Sequence, residues 1–225
     1  MGRYEPEKTR AVQALLKLGE TFVDVGGNKG DFALLAAKIT GENGKVVCIE
    51  PEPTNLRWIR RSIDLNGYKN IQLCNLGLSD HDGESLLHLG TKSGFHTLMS
   101  GAPDGDRGSF ESHRSQVRQL VAGTAGWDCE CPQNRRRGCR VSSAQGSAET
   151  IAANLQIVLF LDIHPFLGVN PSEVFDYLGF LGLTVCEMRQ PYNLPAMPHE
   201  GIFDIVARRL GALDNRQLSK SDYTH

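Results

Sequence analysis

Apolar residues recur along this chain in two rhythms. In "EKTRAVQALLKL" (7–18) they fall at helical spacing, and Gly19 supplies a stop. "TFVDVGG" is instead a short continuous apolar run ending in glycines, which predicts a buried strand. "DFALLAAKIT" returns to the helical period and is closed by "GENG"; "KVVCIEPE" is a second buried strand. "PTNLRWIRRSIDLNG" predicts a second helix of the same kind, with Gly67 as its C-terminal cap. "NIQLCNLGLSD" is a third strand, and "HDGESLLHL" suggests a hairpin after it.

The rhythm then fails. From about Ser100 to Ser147 the chain is rich in Gly, Ser, Arg and Gln, and no apolar period survives. A structureless stretch of that length is unusual inside a compact domain. Order resumes with "AETIAAN" (helical), "QIVLFLDIHP" (a buried strand), "PSEVFDYLGFLG" (helix), "LTVCEMRQ" (strand) and "GIFDIVARRL" (strand). The alternation of strand and helix, with strands too continuously apolar to leave one face wet, predicts a doubly wound α/β domain.

Composition narrows the setting. A chain of 225 residues fits a single domain, drawn here as residues 1–215 with an irregular insert at about 101–147 and a flexible tail at 216–225. A net charge of −2 gives no overall drive toward nucleic acid or anionic membrane. No apolar run has the length of a membrane span, and "MGRYEPEKTR" is too charged for a signal peptide. Cys48, Cys74 and Cys186 sit inside apolar runs, as buried free thiols do. A cytoplasmic location is expected.

Candidate chemistry gathers at the first strand-to-helix junction. "VDVGGNKGD" (Val23–Asp31) places Gly26, Gly27 and Gly30 before a helix N-terminus, where backbone approaches a ligand closely and unpaired N–H groups point outward. The spacing is not Gly-x-Gly-x-x-Gly, so a purely structural turn explains it about as well. Glu50, twenty positions after Gly30 at the end of the second strand, shifts that balance. An acidic side chain there can accept both hydroxyls of a ribose, the alternative being a solvated charge.

The stretch from "FVDVGGNKGDFALLAAKITGENGKVVCIEPEP" to "NIQLCNLGLSDHDGE", followed later by "TIAANLQIVLFLDIHPF" and "VFDYLGFLGLTV", resembles the FkbM family of S-adenosylmethionine-dependent methyltransferases. The resemblance covers residues 10–100 and 148–210. It implies the class I methyltransferase (Rossmann-like) sheet, seven strands with the last antiparallel, and S-adenosyl-L-methionine as cofactor. Asp24, Gly26, Gly27, Asn28 and Gly30 would then form the cofactor turn and Glu50 would hold the ribose. Asn75 to Leu78 would border the adenine, with Ser79 and Asp80 close behind. The implied reaction is O-methylation of a hydroxyl on a sugar, lipid or natural product. A small-molecule, glycan or lipid acceptor is expected rather than nucleic acid; no metal-site residue is assigned, and metal dependence stays open.

Such a reaction asks the protein to align an acceptor oxygen and exclude water, and a general base helps with an unactivated alcohol. The candidates are Asp162 and His164, at the end of "IVLFLDIHP", with His96 behind them. His164 is equally explained as a residue leading into a helix before Pro165.

One part of the family pattern is missing. The motif Lys-Ile-Asp-Val-Glu-Gly-Ala-Glu belongs on the central fourth strand, shortly before "ETIAAN", and "WDCECPQNRRRGCR" (127–140) stands in its place. Cys129, Cys131 and Cys139, with only His113 as a further ligand, have poor zinc spacing. The arginines lack the interleaved aromatics of a nucleic-acid groove. The genetic code offers a third explanation. Gln133 to Arg140 can be encoded as CAA AAT CGA CGT CGA GGG TGC CGA before the G of Val141; one nucleotide later this spells the missing motif. Residues of about 119–147 are therefore expected to be translated out of frame. The central fourth strand would be disrupted, leaving a gap or a loop and a chain of impaired activity. A catalytically impaired cofactor-binding remnant is the alternative function, and a nucleic-acid methyltransferase a weaker one.

Overall fold

The computed structural model describes residues 5–79, 83–90, 108–116, 157–163, 170–188, 195–198, 200 and 203–209. Helix α1 (Pro6–Leu15) opens with proline at its first turn, where the missing N–H costs nothing. Strand β1 (Thr21–Val25) leads to α2 (Asp31–Thr40), β2 (Lys45–Ile49), α3 (Pro53–Asn66) and β3 (Ile71–Cys74). The Glu52 carboxylate caps α3 by accepting from the N–H groups of Thr54 (2.8 Å) and Asn55 (2.6 Å), and Gly67 closes it in the left-handed region. After β4 (Gly77–Ser79), β5 (Gly83–His88) and β6 (Ser109–Gln116) come β7 (Ile157–Ile163), α4 (Pro171–Phe180), β8 (Thr184–Glu187) and β9 (Phe203–Arg208).

The main sheet runs β3-β2-β1-β7-β9-β8. The pairs β3–β2, β2–β1 and β1–β7 are parallel, whereas β7–β9 and β9–β8 are antiparallel. Side chains alternate across it. Val23, Val47, Ile49, Leu159, Leu161 and Ile205 form one buried layer with Leu178 of α4. Phe22, Val46, Cys48, Phe160 and Val206 form the other, covered by Ala11, Val12 and Leu15 of α1 and by Ala33, Ala36 and Ala37 of α2. Helices thus lie on both faces, which is the doubly wound arrangement expected from the continuous apolar strands.

Two expectations are corrected. The described residues supply six strands of the main sheet, and the expected gap does not stand beside β1. Strand β7 pairs with it directly, Thr21 opposite Ile157 through Asp24 opposite Phe160. An unpaired central edge would strand buried N–H and C=O groups, and β7 is apolar enough on both faces to fill the place. The expected hairpin is also replaced: β4 and β5 do not pair with each other but flank β6, parallel and antiparallel respectively. That strand falls inside the stretch expected to be irregular. Its sequence, SFESHRSQ, carries almost no apolar residue, so periodicity could not reveal it. The segment "AETIAAN", the cysteines and arginines of residues 127–140, and the tail lie outside the described residues.

The direct contact of β1 with β7 is testable. The rings of Phe22 and Phe160 meet edge to face with centroids 5.2 Å apart. Replacing each by leucine, singly and together, is expected to give a coupling of about 0.5–1.5 kcal/mol in a double-mutant denaturation cycle. Additive effects would mean that another strand, needing about 4.8 Å of its own, lies between the two.

Candidate functional site

The turn after β1 is built by backbone that few residues tolerate. Gly26 (φ 75°), Asn28 (φ 49°) and Gly30 (φ 85°) all have positive φ. The N–H groups of Gly26 and Gly27 both donate to the carbonyl of Ile49 at 2.9 Å, and that of Gly30 donates to Gly27 at 2.7 Å. Gly27 has a steric reason to be glycine: a Cβ there would overlap Cys48 Sγ. The turn is thereby pressed flat against the end of β2.

Glu50, just beyond β2, locks the turn from the other side. It is buried at 4% exposure; Oε2 accepts from the Asn28 N–H (2.7 Å) and Oε1 from the Glu52 N–H (2.8 Å). Burial raises its pKa to about 7, although the N–H groups of Glu52 and Asn28 pull the other way. Asp24, one layer deeper on β1, is also pushed up to about 7, first by burial and then by the charge of Asp162. Its Oδ2 and the Oδ1 of Asn28 are buried without a hydrogen-bond partner among the described residues. Buried acceptors of this kind call for donors beyond the described residues.

The other expected residues are placed unequally. Asn75 is exposed directly after β3, whose end is tied to Glu50 by the Glu50 N–H bond to the Cys74 carbonyl (3.0 Å). Leu78 and Ser79 lie in β4, paired with Ser115 and Gln116 in the second sheet. Asp162 is near the C-terminal end of β7, two residues past the Asp24–Phe160 pair. His164, His96 and Asp80 lie outside the described residues.

Sequence reasoning missed three groups. Lys8 of α1 is 7% exposed and bonds to Asp162 Oδ1 at 2.7 Å, Glu5 Oε2 at 2.8 Å and Asp204 Oδ1 at 3.1 Å. Burial opposes its charge, but the surrounding carboxylates outweigh that and hold its pKa well above the usual lysine range. Nothing local marks Lys8, since one lysine in an amphipathic helix reads as a solvated face, and Asp204 is separated from Asp162 by 42 positions (204 − 162). Glu52 did carry a signal, since an acidic residue followed by proline is a good start for a helix.

Residues 24–128 match the family model of the methyltransferase FkbM domain. Over that segment the chain is similar to FkbM-type methyltransferase domains. The matched stretch begins at Asp24 and takes in the turn, Glu50, Asn75, Leu78 and Ser79, while Asp162 and His164 lie beyond it. By family resemblance the enzyme class is S-adenosylmethionine-dependent methyltransferase, with S-adenosylmethionine as cofactor. No curated protein sequence matches the chain. Among solved structures, an S-adenosylmethionine-dependent methyltransferase from Aquifex aeolicus is 14% identical, the match covering 89% of this chain and 88% of that one with a TM-score of 0.38. A precorrin-6y C5,15-methyltransferase from Geobacter metallireducens is 13% identical over 90% and 87%, with a TM-score of 0.40. A protein-L-isoaspartate O-methyltransferase is 22% identical over 29% of this chain and 21% of its own, with a TM-score of 0.28. Superpositions this loose assign nothing further. Among the described residues no helix is long and apolar enough to cross a membrane.

The residues present fit the family's cofactor. Glu50 keeps a second lone pair on each oxygen for a ribose diol, and the unpartnered oxygens of Asp24 and Asn28 await further donors. Gly26 has open space on its Cβ side.

Two predictions follow from this geometry. Glu50 titrates at about 7 in the free protein, and hydrogen bonds from a ribose would favour its charged form. Binding S-adenosylmethionine near neutral pH is therefore expected to release protons, and affinity to rise as pH passes upward through about 7. Calorimetry in buffers of different ionisation enthalpy measures this; heats independent of buffer would contradict it. Second, Gly27→Ala is expected to lower stability by about 1–3 kcal/mol through overpacking. Cys48→Ala in the same chain should recover part of the loss in denaturant titration, because it removes the atom that the new methyl strikes.

Proposed function

We propose that the chain transfers the methyl group of S-adenosylmethionine to a hydroxyl oxygen of a sugar, lipid or natural product. The observation that carries the reading is the buried Glu50 carboxylate, clamped to the glycine turn through the Asn28 N–H at the carboxyl ends of parallel strands. That is where open α/β sheets hold nucleotide-like ligands. The cofactor supplies an already activated methyl group, so the protein's task is to place an oxygen in line with it and keep water out. In this reading Asp24, Gly26, Gly27, Asn28 and Gly30 shape the turn, Glu50 holds the ribose, and Asn75, Leu78 and Ser79 border the adenine. Asp162 and His164 remain the candidates for drawing the proton from the acceptor. Lys8 bonds to one oxygen of Asp162.

A second reading has its own support. With β7 seated against β1, the strand that bears the family's central motif has no place between them. A chain that holds the cofactor and does not transfer its methyl is consistent with this. A nucleic-acid acceptor is less favoured: the arginines that would serve it lie outside both the described residues and the glycine turn.

Calorimetry with S-adenosylmethionine on the full chain, followed by transfer of labelled methyl to a panel of monosaccharides, a glycolipid and a macrolide, separates these. Binding with transfer supports the first reading, and binding without transfer supports the remnant. Glu50→Ala is expected to weaken binding at least about tenfold, the loss of roughly 1.4 kcal/mol from hydrogen bonds to a charged group. Failure of the parent chain to bind would sink both.

A further inference from the structure

The antiparallel register of β7 and β9 sets Asp162 directly opposite Asp204. Like charges in cross-strand pairs repel, so a sheet does not place them there without compensation. Here one ammonium answers both: Lys8 Nζ is 2.7 Å from Asp162 Oδ1 and 3.1 Å from Asp204 Oδ1. Lys8 reaches them from α1, which packs on that face of the sheet, and its ammonium also lies 5.8 Å from the centre of the Phe32 ring at the start of α2. The lysine is buried, while the Asp162 and Asp204 side chains keep 47% and 34% of their exposure. The pair is thus fixed from behind by a buried cation and open toward solvent in front.

Two further facts separate it from an ordinary surface cluster of acids. Asp162 lies two residues past Phe160, the strand partner of Asp24, toward the end of β1 where the glycine turn begins. On the same sheet face the Oδ2 of Asp24 is buried without a partner among the described residues, and Asp162 is the strongest charge acting on that carboxyl. The charged groups that face the pair are Lys8 and Glu5 from α1 and Asp24 from β1.

We propose that Asp162 and Asp204 act as one proton-sharing site at the mouth of the crevice, with Lys8 and Asp204 as positioning residues, and that the site takes the proton which the acceptor hydroxyl gives up. The inference rests on the methyl-transfer reading. The step balances: the oxygen–methyl bond forms, the carbon–sulfur bond breaks with its electron pair staying on sulfur, and the hydroxyl proton passes to a carboxylate oxygen of Asp162. Asp204 shares that proton from the neighbouring strand, and Lys8 keeps its own throughout. Burial raises Asp204 to a pKa of about 6, helped by the charge of Asp162 and a hydrogen bond between the two side chains and opposed by Lys8. A carboxyl raised in this way holds its proton closer to neutral pH than a solvated carboxylate does.

The test follows the aspartate carboxyls of the full chain by carbon-13 NMR across a pH titration. In the parent chain the Asp204 carboxyl is expected to titrate at about pH 6, with that step also visible in the signal of Asp162 across the strand pair. Asp204→Asn should abolish the step, Lys8→Met should move it upward, and Lys8→Arg should restore it. Arginine keeps the charge, so a merely structural role for Lys8 would not produce that order. Should Lys8→Met fail to fold, Asp204→Asn and Lys8→Arg still decide. Titration of Asp204 below about pH 4.5, in the usual carboxylate range, overturns the proposal, as does a step in the Asp162 signal that survives Asp204→Asn. Calorimetric binding of S-adenosylmethionine, measured on the same samples, bears on the cofactor reading alone. Its failure would leave the NMR result to judge the carboxyl pair.

Discussion

Everything around the crevice depends on what sits on the second edge of β1. A strand in the middle of a parallel sheet must have its N–H and C=O groups paired on both sides, because buried backbone has no water to turn to. Here β2 satisfies one edge and β7 the other. Strand β7 is suited to the place because Ile157 to Leu161 and Ile163 are buried, with only Asp162 emerging near its end. That choice puts Asp162 two residues past the partner of Asp24 and lets Lys8 span Asp162 and Asp204. Arg135, Arg136 and Arg137 could not have taken the same place, since each would bury an unpaired charge.

The carboxyl ends of these strands also concentrate negative charge. Asp24, Glu50, Asp162 and Asp204 converge there, and burial raises the pKa of Asp24, Glu50 and Asp204 alike. For an acid raised in the folded state, the folded chain binds more protons than the unfolded one between the two pKa values, so stability falls as pH rises through that window. For Asp24 the window runs from 3.8 to about 7 and for Glu50 from 4.5 to about 7. The cluster therefore costs the empty fold stability near neutral pH. Such an arrangement is easier to understand as a binding site than as a support: a ligand bearing donors recovers what the fold has given up.

Much of this was legible in the sequence, because the signals were local. Continuous apolar runs marked β1, β2, β7 and β9, and Gly26, Gly27 and Gly30 marked the turn that only such residues can make. Glu50 stood out by its place at a strand end. What could not be seen were relations between distant segments. Strand order is a property of pairing, and nothing in "IVLFLDI" says whether it lies next to β1 or one strand away. Lys8 and Asp204 look like solvent-facing charges until the sheet and α1 bring them together over Asp162. Strand β6 escaped because its side chains are polar, its pairing resting on backbone bonds to β4 and β5.

The missing motif gives the short sheet its meaning. Residues of about 119–147 lie outside the described part, and an out-of-frame origin for them remains our proposal from the genetic code. Geometry limits what such an origin implies. Restoring Lys-Ile-Asp-Val-Glu-Gly-Ala-Glu as a strand would need room between β1 and β7, moving β7 about 4.8 Å from β1. Lys8 rides on α1, packed over α2 and β1 on the same face, so β7 and β9 would both move away from it. The Lys8–Asp162–Asp204 arrangement thus belongs to the six-stranded sheet. Whatever chemistry it supports is a property of this chain as written, and need not be that of a relative with seven strands.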